Sequence, residues 1–206
     1  MPKAYWMSLR IRIHDADKMK AYAEKAGPAI RAGGGAFLAR GGRVKSLEGY
    51  EQGRVVLIEF PDFDTALKTY HSPAYEDAHS HILGGAVERD TFIVEGVEDP
   101  QPRGETAGPV AYWIGAHMTI HDPDKMAAYV AKATPAIQAV GARPLVRGGR
   151  VETLEGFPQT RVALIEHLNW DVAAAYYDSP LYAEARKALD GGCTRDLCIT
   201  EALSES

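Results

Sequence analysis

The chain has 206 residues, 46% hydrophobic and 25% charged, which is ordinary for a globular protein with one or two cores. A net charge of −5 argues against a broad basic surface for nucleic acid, and short apolar runs broken by charge argue against a membrane span. The start, Met1-Pro2-Lys3-Ala4, has no signal-peptide pattern, and Cys193 and Cys198 have no metal or redox spacing, so a cytoplasmic location with reduced thiols is expected.

The first element is a strand over Tyr5 to Ile13. Tyr5, Met7, Leu9, Ile11 and Ile13 fall on one face, and Trp6, Ser8, Arg10 and Arg12 on the other. Asp15 is placed as a helix N-cap. Met19, Tyr22, Ala23, Ala26 and Ile30 follow at helical spacing, and Gly33-Gly34-Gly35 ends the helix. Phe37 to Arg40 is a short strand, followed by a bend at Gly41-Gly42. Arg54 to Phe60 has an almost continuous apolar centre, which predicts a central strand. A second helix runs from about Asp62 towards Ile82 and is broken or kinked at Ser72-Pro73. Thr91 to Glu95 is the last strand of this unit.

Residues 98–109 hold three prolines, two glycines and no aromatic, and read as a linker. Beyond it the same text recurs at a shift of 107. Ala4-Tyr5-Trp6 becomes Ala111-Tyr112-Trp113, Arg40-Gly41-Gly42-Arg43-Val44 becomes Arg147-Gly148-Gly149-Arg150-Val151, and Ser72-Pro73 becomes Ser179-Pro180. One residue is lost after Gly191-Gly192, so that Arg89-Asp90 pairs with Arg195-Asp196. The chain is therefore a duplication, with repeats at 1–97 and 110–203 and a tail at 204–206.

The order strand, helix, strand, strand, helix, strand is the ferredoxin-like βαββαβ plan. It leaves one face of each sheet bare. The fold class is therefore α+β, two tandem ferredoxin-like units pairing their sheets into an intramolecular α/β barrel. A monomer or a homodimer of complete barrels is expected.

Several residues go beyond this plan. The Ala-Tyr-Trp opening, His14-Asp15, Arg40-Gly41-Gly42 with Glu48, Ile58-Glu59-Phe60, Tyr70-His71-Ser72-Pro73 with Tyr75, and Ile93-Val94-Glu95-Gly96 resemble the family called domain of unknown function 1330. That resemblance covers nearly all of both halves and implies membership of the dimeric α/β-barrel superfamily. Barrels of that superfamily include cofactor-free monooxygenases, haem-dependent enzymes, muconolactone-type isomerases and stress-response proteins. A fold does not fix a reaction.

The mixed face of the first strand is expected to point between the sheets, with Trp6 and Trp113 as walls of a small-molecule cavity. Arg10 would orient an anion, and His117 or Glu59 would move a proton. Glu59 and Glu166 lie among apolar strand residues. Each is either a general base or the structural partner of an arginine: Arg40 or Arg10 for Glu59, and Arg147 (or His117) for Glu166. His167 replaces Phe60 and is either catalytic or a core substitution; Arg40 and Arg147 can close over an anion at the rim. His71, His79 and His81 lack metal-ligand spacing, so neither metal nor organic cofactor is expected. The expected function is an isomerase-, cyclase- or oxygenase-type enzyme holding a small molecule between the sheets. The alternative is a non-catalytic ligand-binding or structural barrel. The ligand is the only partner expected, with no nucleic acid and no membrane.

Overall fold

The computed structural model describes residues 1–106 and 108–203. The first half contains β1 (Ala4–Ile13), α1 (Ala16–Ala32), β2 (Ala36–Arg40), β3 (Val44–Glu48), β4 (Val56–Phe60), α2 (Phe63–Tyr70), α3 (Pro73–Ser80) and β5 (Val87–Glu95). The second half repeats them as β6 (Ala111–Ile120), α4 (Pro123–Ala139), β7 (Arg143–Arg147), β8 (Val151–Glu155), β9 (Ala163–His167), α5 (Trp170–Tyr177), α6 (Pro180–Leu189) and β10 (Cys193–Glu201). Asp15 caps α1 by accepting from Lys18 N at 3.0 Å, and Asp122 caps α4 in the same way ahead of Pro123. Ser72 ends one helix and caps the next, so the Ser-Pro step divides α2 from α3.

The strands form two antiparallel five-stranded sheets, ordered β2-β4-β1-β5-β8 and β3-β10-β6-β9-β7. Each sheet has four strands from one half and an arm from the other. β3 leaves β2 at Gly41 (φ +70) and crosses to pair with β10, while β8 crosses back to pair with β5. These arms are additional to the four strands per half expected from the sequence. They close the sheets into a barrel about a pseudo-two-fold axis.

The two faces of the first strand have the opposite destinations from those expected. Tyr5, Met7 and Leu9 meet Tyr112, Ile114 and Leu164 between the sheets, whereas Trp6 and Trp113 pack under the helices. Both faces are apolar enough to be buried, but the helices carry Tyr22, Tyr75, Tyr129 and Tyr182, whose rings and hydroxyls suit a tryptophan and an arginine. Among the described residues the inter-sheet space is filled with packed side chains, because sheets stacked at about 10 Å leave room mainly for interdigitating residues. A cleft of about 510 Å³ beside the linker reaches the rim of this interface at Val110 and Tyr112, but none of the expected site residues lines it.

Candidate functional site

Arg10 and His117 sit at matching β-bulges, with φ of +51° and +52°. The bulge turns each side chain away from the helix face that Trp6 and Trp113 occupy and into the barrel centre. The backbone N–H of each donates to a glutamine of its own half: Gln52 Oε1 at 2.7 Å and Gln159 Oε1 at 2.8 Å. At the centre Arg10 Nε donates to Asp196 at 2.7 Å, and His117 Nε2 lies 2.7 Å from Asp90. His117 Nδ1 is 3.1 Å from Asp196, at ion-pair distance but poorly aligned for a hydrogen bond. Burial works against a charged imidazole, but the two aspartates outweigh it and raise the His117 pKa. The loops after the arms wrap these carboxylates: Phe157 N donates to Asp90 and Tyr50 N to Asp196. Gly156 and Gly49 precede them at φ near +77° and +76°, where a Cβ would collide with the same aspartates. Arg10 and His117 are thus brought together as a lock between the halves, His117 buried and Arg10 half-buried, with Arg10 and Asp90 also on the wall of an open cleft of about 420 Å³.

Apart from the open clefts, a smaller and mainly apolar recess lies under the first helix of each half. In the second half a pocket of about 90 Å³ runs between α4 and the sheet, lined by Trp113, Gly115, Met118, Met126, Tyr129, Pro144, Arg147, Arg161, Ala163, Arg195 and other apolar residues. The equivalent space under α1 is about 30 Å³. The sequence accounts for the difference. Ser8, Phe37 and Val56 of the first half become Gly115, Pro144 and Ala163, each shorter or smaller. In addition, the Ser8–Thr91 hydroxyl pair, at 3.1 Å, becomes Gly115 and Leu197, which makes the second pocket drier. Arg147 is exposed, Arg161 half-buried and Arg195 buried, so cationic groups stand at both ends of an apolar slot.

Arg195 anchors the inner end. Its Nε donates to Glu48 at 2.7 Å and its Nη2 to Tyr182 at 3.0 Å, and Tyr182 lies 2.9 Å from the Tyr129 hydroxyl. Burial opposes its charge, but Glu48, reaching in from the exchanged arm β3, keeps it protonated. Burial pushes the Tyr182 phenol well above its usual value. The first half has the same network in Arg89, Glu155, Tyr75 and Tyr22, with one difference. Arg89 Nη1 donates to Tyr22 at 2.8 Å, whereas among the described residues Arg195 Nη1 has no hydrogen bond to Tyr129.

The remaining expected residues are dispersed. Trp113 and Arg147 line the larger pocket, and Trp6 and Arg40 the smaller. Glu59 pairs with Lys3 at 2.6 Å rather than with Arg40 or Arg10, because it points to the sheet margin beside Tyr5. Glu166 is held by Arg143 at 2.8 Å and by linker Arg103 at 2.7 Å, not by Arg147 or His117. These arginines overcome burial and lower its pKa. His167 is fully buried against Trp113 and Tyr176, with neither ring nitrogen hydrogen-bonded, and burial lowers its pKa to about 3. His79 turns to Glu155 at 3.3 Å, and among the described residues no group of three or more His, Cys, Asp or Glu is placed to hold a metal. Arg161, Arg195 and Tyr129 were not singled out in the sequence. Their signal was present in the repeat itself, as counterparts of Arg54, Arg89 and Tyr22.

The model of the domain of unknown function DUF1330 matches residues 3–97 and again 110–203. The chain belongs to this family. No curated protein matches it in sequence. Among solved structures it is similar to an anthrone oxidase-like protein (11% identity, 98% of this chain and 92% of that one, TM-score 0.55). It is also similar to a candidate monooxygenase from Lactobacillus acidophilus NCFM (14% identity, all of both chains, TM-score 0.50). A third likeness is to a candidate chlorite dismutase (13% identity, 98% and 95% covered, TM-score 0.52). At these identities the likeness establishes the two-sheet α+β fold of dimeric α/β barrels.

Proposed function

We propose that this DUF1330 protein binds a small, flat, largely apolar molecule with an acidic or carbonyl oxygen in the pocket under α4. We further propose that it converts that molecule by an isomerase-, cyclase- or oxygenase-type reaction without a bound organic cofactor. The observation that carries this reading is the asymmetry of the duplicated pocket, about 90 Å³ against about 30 Å³, with Arg195 at its inner end. Drug-sized ligands need about 300 Å³ or more, so the pocket suits a molecule of about one ring. Arg195 and the Tyr129 hydroxyl are donors fixed in a buried site, where they stabilise negative charge developing on an enolate or phenolate oxygen. Arg147 and Arg161 would hold a second anionic group at the mouth. The lining contains no carboxylate and no imidazole, so the substrate must be acidic enough to ionise beside Arg195. The names of the structural neighbours, a monooxygenase and an anthrone oxidase-like protein, favour the oxygenase branch.

Native mass spectrometry of the purified chain, followed by chromatographic identification of the released molecule, tests the reading. Gly115→Ser with Ala163→Val rebuilds part of the first-half lining and is expected to abolish retention, and Arg161→Gln to weaken it about tenfold. Retention that survives both changes but fails on Arg10→Ala would move the site to the barrel centre. A bound molecule recovered unchanged after incubation with and without oxygen would leave a binding protein without turnover.

A further inference from the structure

Arg31 and Arg40 gather over the Gly27 region of α1, and Arg54 stands beside Arg40 against Gly41, outside the pocket proposed above. Gly27 lacks a Cβ, and Arg40 Nη1 and Arg31 Nη1 lie 3.4 Å and 3.5 Å from where one would be. Arg54 lines the same small recess as Arg40, and its Nε is buried without a hydrogen-bond partner. The Phe37 ring lies under both Arg31 and Arg40, at 5.3 Å and 4.8 Å, and holds them by cation–π attraction. Among the described residues none of the three forms an ion pair with a carboxylate, and the one side-chain hydrogen bond they make is Arg40 Nη2 to Ala23 O at 3.5 Å. The chain has 28 acidic residues against 23 Lys and Arg, so carboxylates are not scarce. Three guanidiniums held together without a counter-charge repel one another, and burial with the charges of Arg31 and Arg54 lowers the pKa of Arg40. The arrangement is most stable when an anion occupies it.

The second half lacks this arrangement. Arg31 becomes Gln138, and Gly27 becomes Thr134, whose hydroxyl accepts from Arg147 Nη2 at 3.1 Å. One guanidinium suffices for a carboxylate, whereas three together, with Arg40 and Arg54 half-buried and Arg31 exposed, match a dianion with several acceptor oxygens. We infer that Arg31, Arg40 and Arg54 form a site for the phosphate group of a soluble molecule, distinct from the pocket under α4. The recess beneath them is only about 30 Å³, so the group sits at the surface and the rest of the molecule points outward. Because this inference does not use the α4 pocket, either reading can fail alone.

The probe is inorganic phosphate, titrated into the full chain above pH 7.5 at constant ionic strength and followed by phosphorus NMR line broadening and calorimetry. Saturable one-to-one binding is expected, without competition from acetate. Arg31→Gln and Gly27→Thr, both residues that the second half already accommodates in the same fold, are expected to weaken binding about tenfold. Lys20→Gln, which removes an exposed cation of α1 outside both sites, is expected to leave it unchanged. Phosphate behaving like chloride, equal weakening by Lys20→Gln, or no weakening by Arg31→Gln and Arg40→Gln would overturn the inference. Cosedimentation with phosphatidate vesicles without binding of free phosphate would assign the cluster to a lipid surface and overturn it as well.

Discussion

His167 shows how one substitution between copies can act against stability. It occupies the position of Phe60, which stacks beside Trp6, but it puts two ring nitrogens without hydrogen bonds into a dry core. The nearby Tyr176 hydroxyl is buried and unpartnered too. An unsatisfied buried polar group costs about 1–3 kcal/mol, so His167→Phe is expected to stabilise the protein by about 1 kcal/mol at neutral pH. The gain should grow in acid. The folded imidazole titrates near 3, while the unfolded one takes its proton near 6.5, so the wild type loses stability as pH falls between those values. Denaturant midpoints for both proteins at several pH values check this. Parallel acid loss in wild type and variant would show that the ring reaches solvent or a partner. The Phe-to-His exchange was legible in the sequence, but the absence of a partner was not, because that depends on what α5 places above the ring.

At the scale of elements, capping and breaking signals were readable because they are local. Asp15, Asp122-Pro123 and Ser72-Pro73 each fix a boundary through their own backbone and side-chain oxygens. The exchanged arms were not readable. Val44–Glu48 and Val151–Glu155 are five residues each, with two apolar positions, and only the opposite sheet edge makes them strands. The first strand misled for a related reason: alternation gives two faces but not their destinations, and the bulge at Arg10 reverses the alternation partway along. The arms matter because each carries a carboxylate to a buried arginine of the other half. Glu155 meets Arg89 at 2.7 Å. Burial would raise its pKa, but His79 and Arg89 hold it at about 2. Its contribution to stability is present above its unfolded value near 4.5 and is lost as pH falls towards 2. Glu155→Ala leaves the Arg89 charge buried and unpaired and is expected to cost about 3 kcal/mol. Hydrogen exchange should quicken first in β8 and the facing part of β5. Uniform quickening throughout the barrel would mean that the arm has no independent stability.

At the scale of the whole molecule, duplication allows the two halves to specialise. Repeats that build the barrel stayed alike: Gln52 and Gln159 on the bulges, Gly49 and Gly156 against the aspartates, Asp90 and Asp196 at the axis. Residues around the two helix-covered recesses diverged, one opening into a pocket and the other keeping three arginines. The axis itself diverged at one pair, Arg10 against His117, and this pair decides which halves should associate. A pair of first halves would bring two Arg10 and two Asp90 together, which is neutral. A pair of second halves would bring two His117 and two Asp196, which carries two uncompensated negative charges unless both imidazoles are protonated. The intact chain mixes them, and Arg10 serves Asp196 at 2.7 Å while His117 serves Asp90 at 2.7 Å. The raised pKa of His117 gives the sign: its contribution is full below the unfolded value of 6.5 and fades as pH rises through the folded one. Residues 1–97 expressed alone are therefore expected to pair with themselves at any pH between about 6 and 8.5. Residues 110–203 should self-associate at the acid end and weaken at least about tenfold at the alkaline end, since each lost proton removes a buried counter-charge. Mixing the two fragments at alkaline pH should yield the heterodimer in preference to either homodimer, as sedimentation equilibrium can measure. A second-half homodimer equally tight across that range would show that the apolar contacts of Tyr112, Ile114 and Leu164 alone set the pairing, with the central charges as passengers.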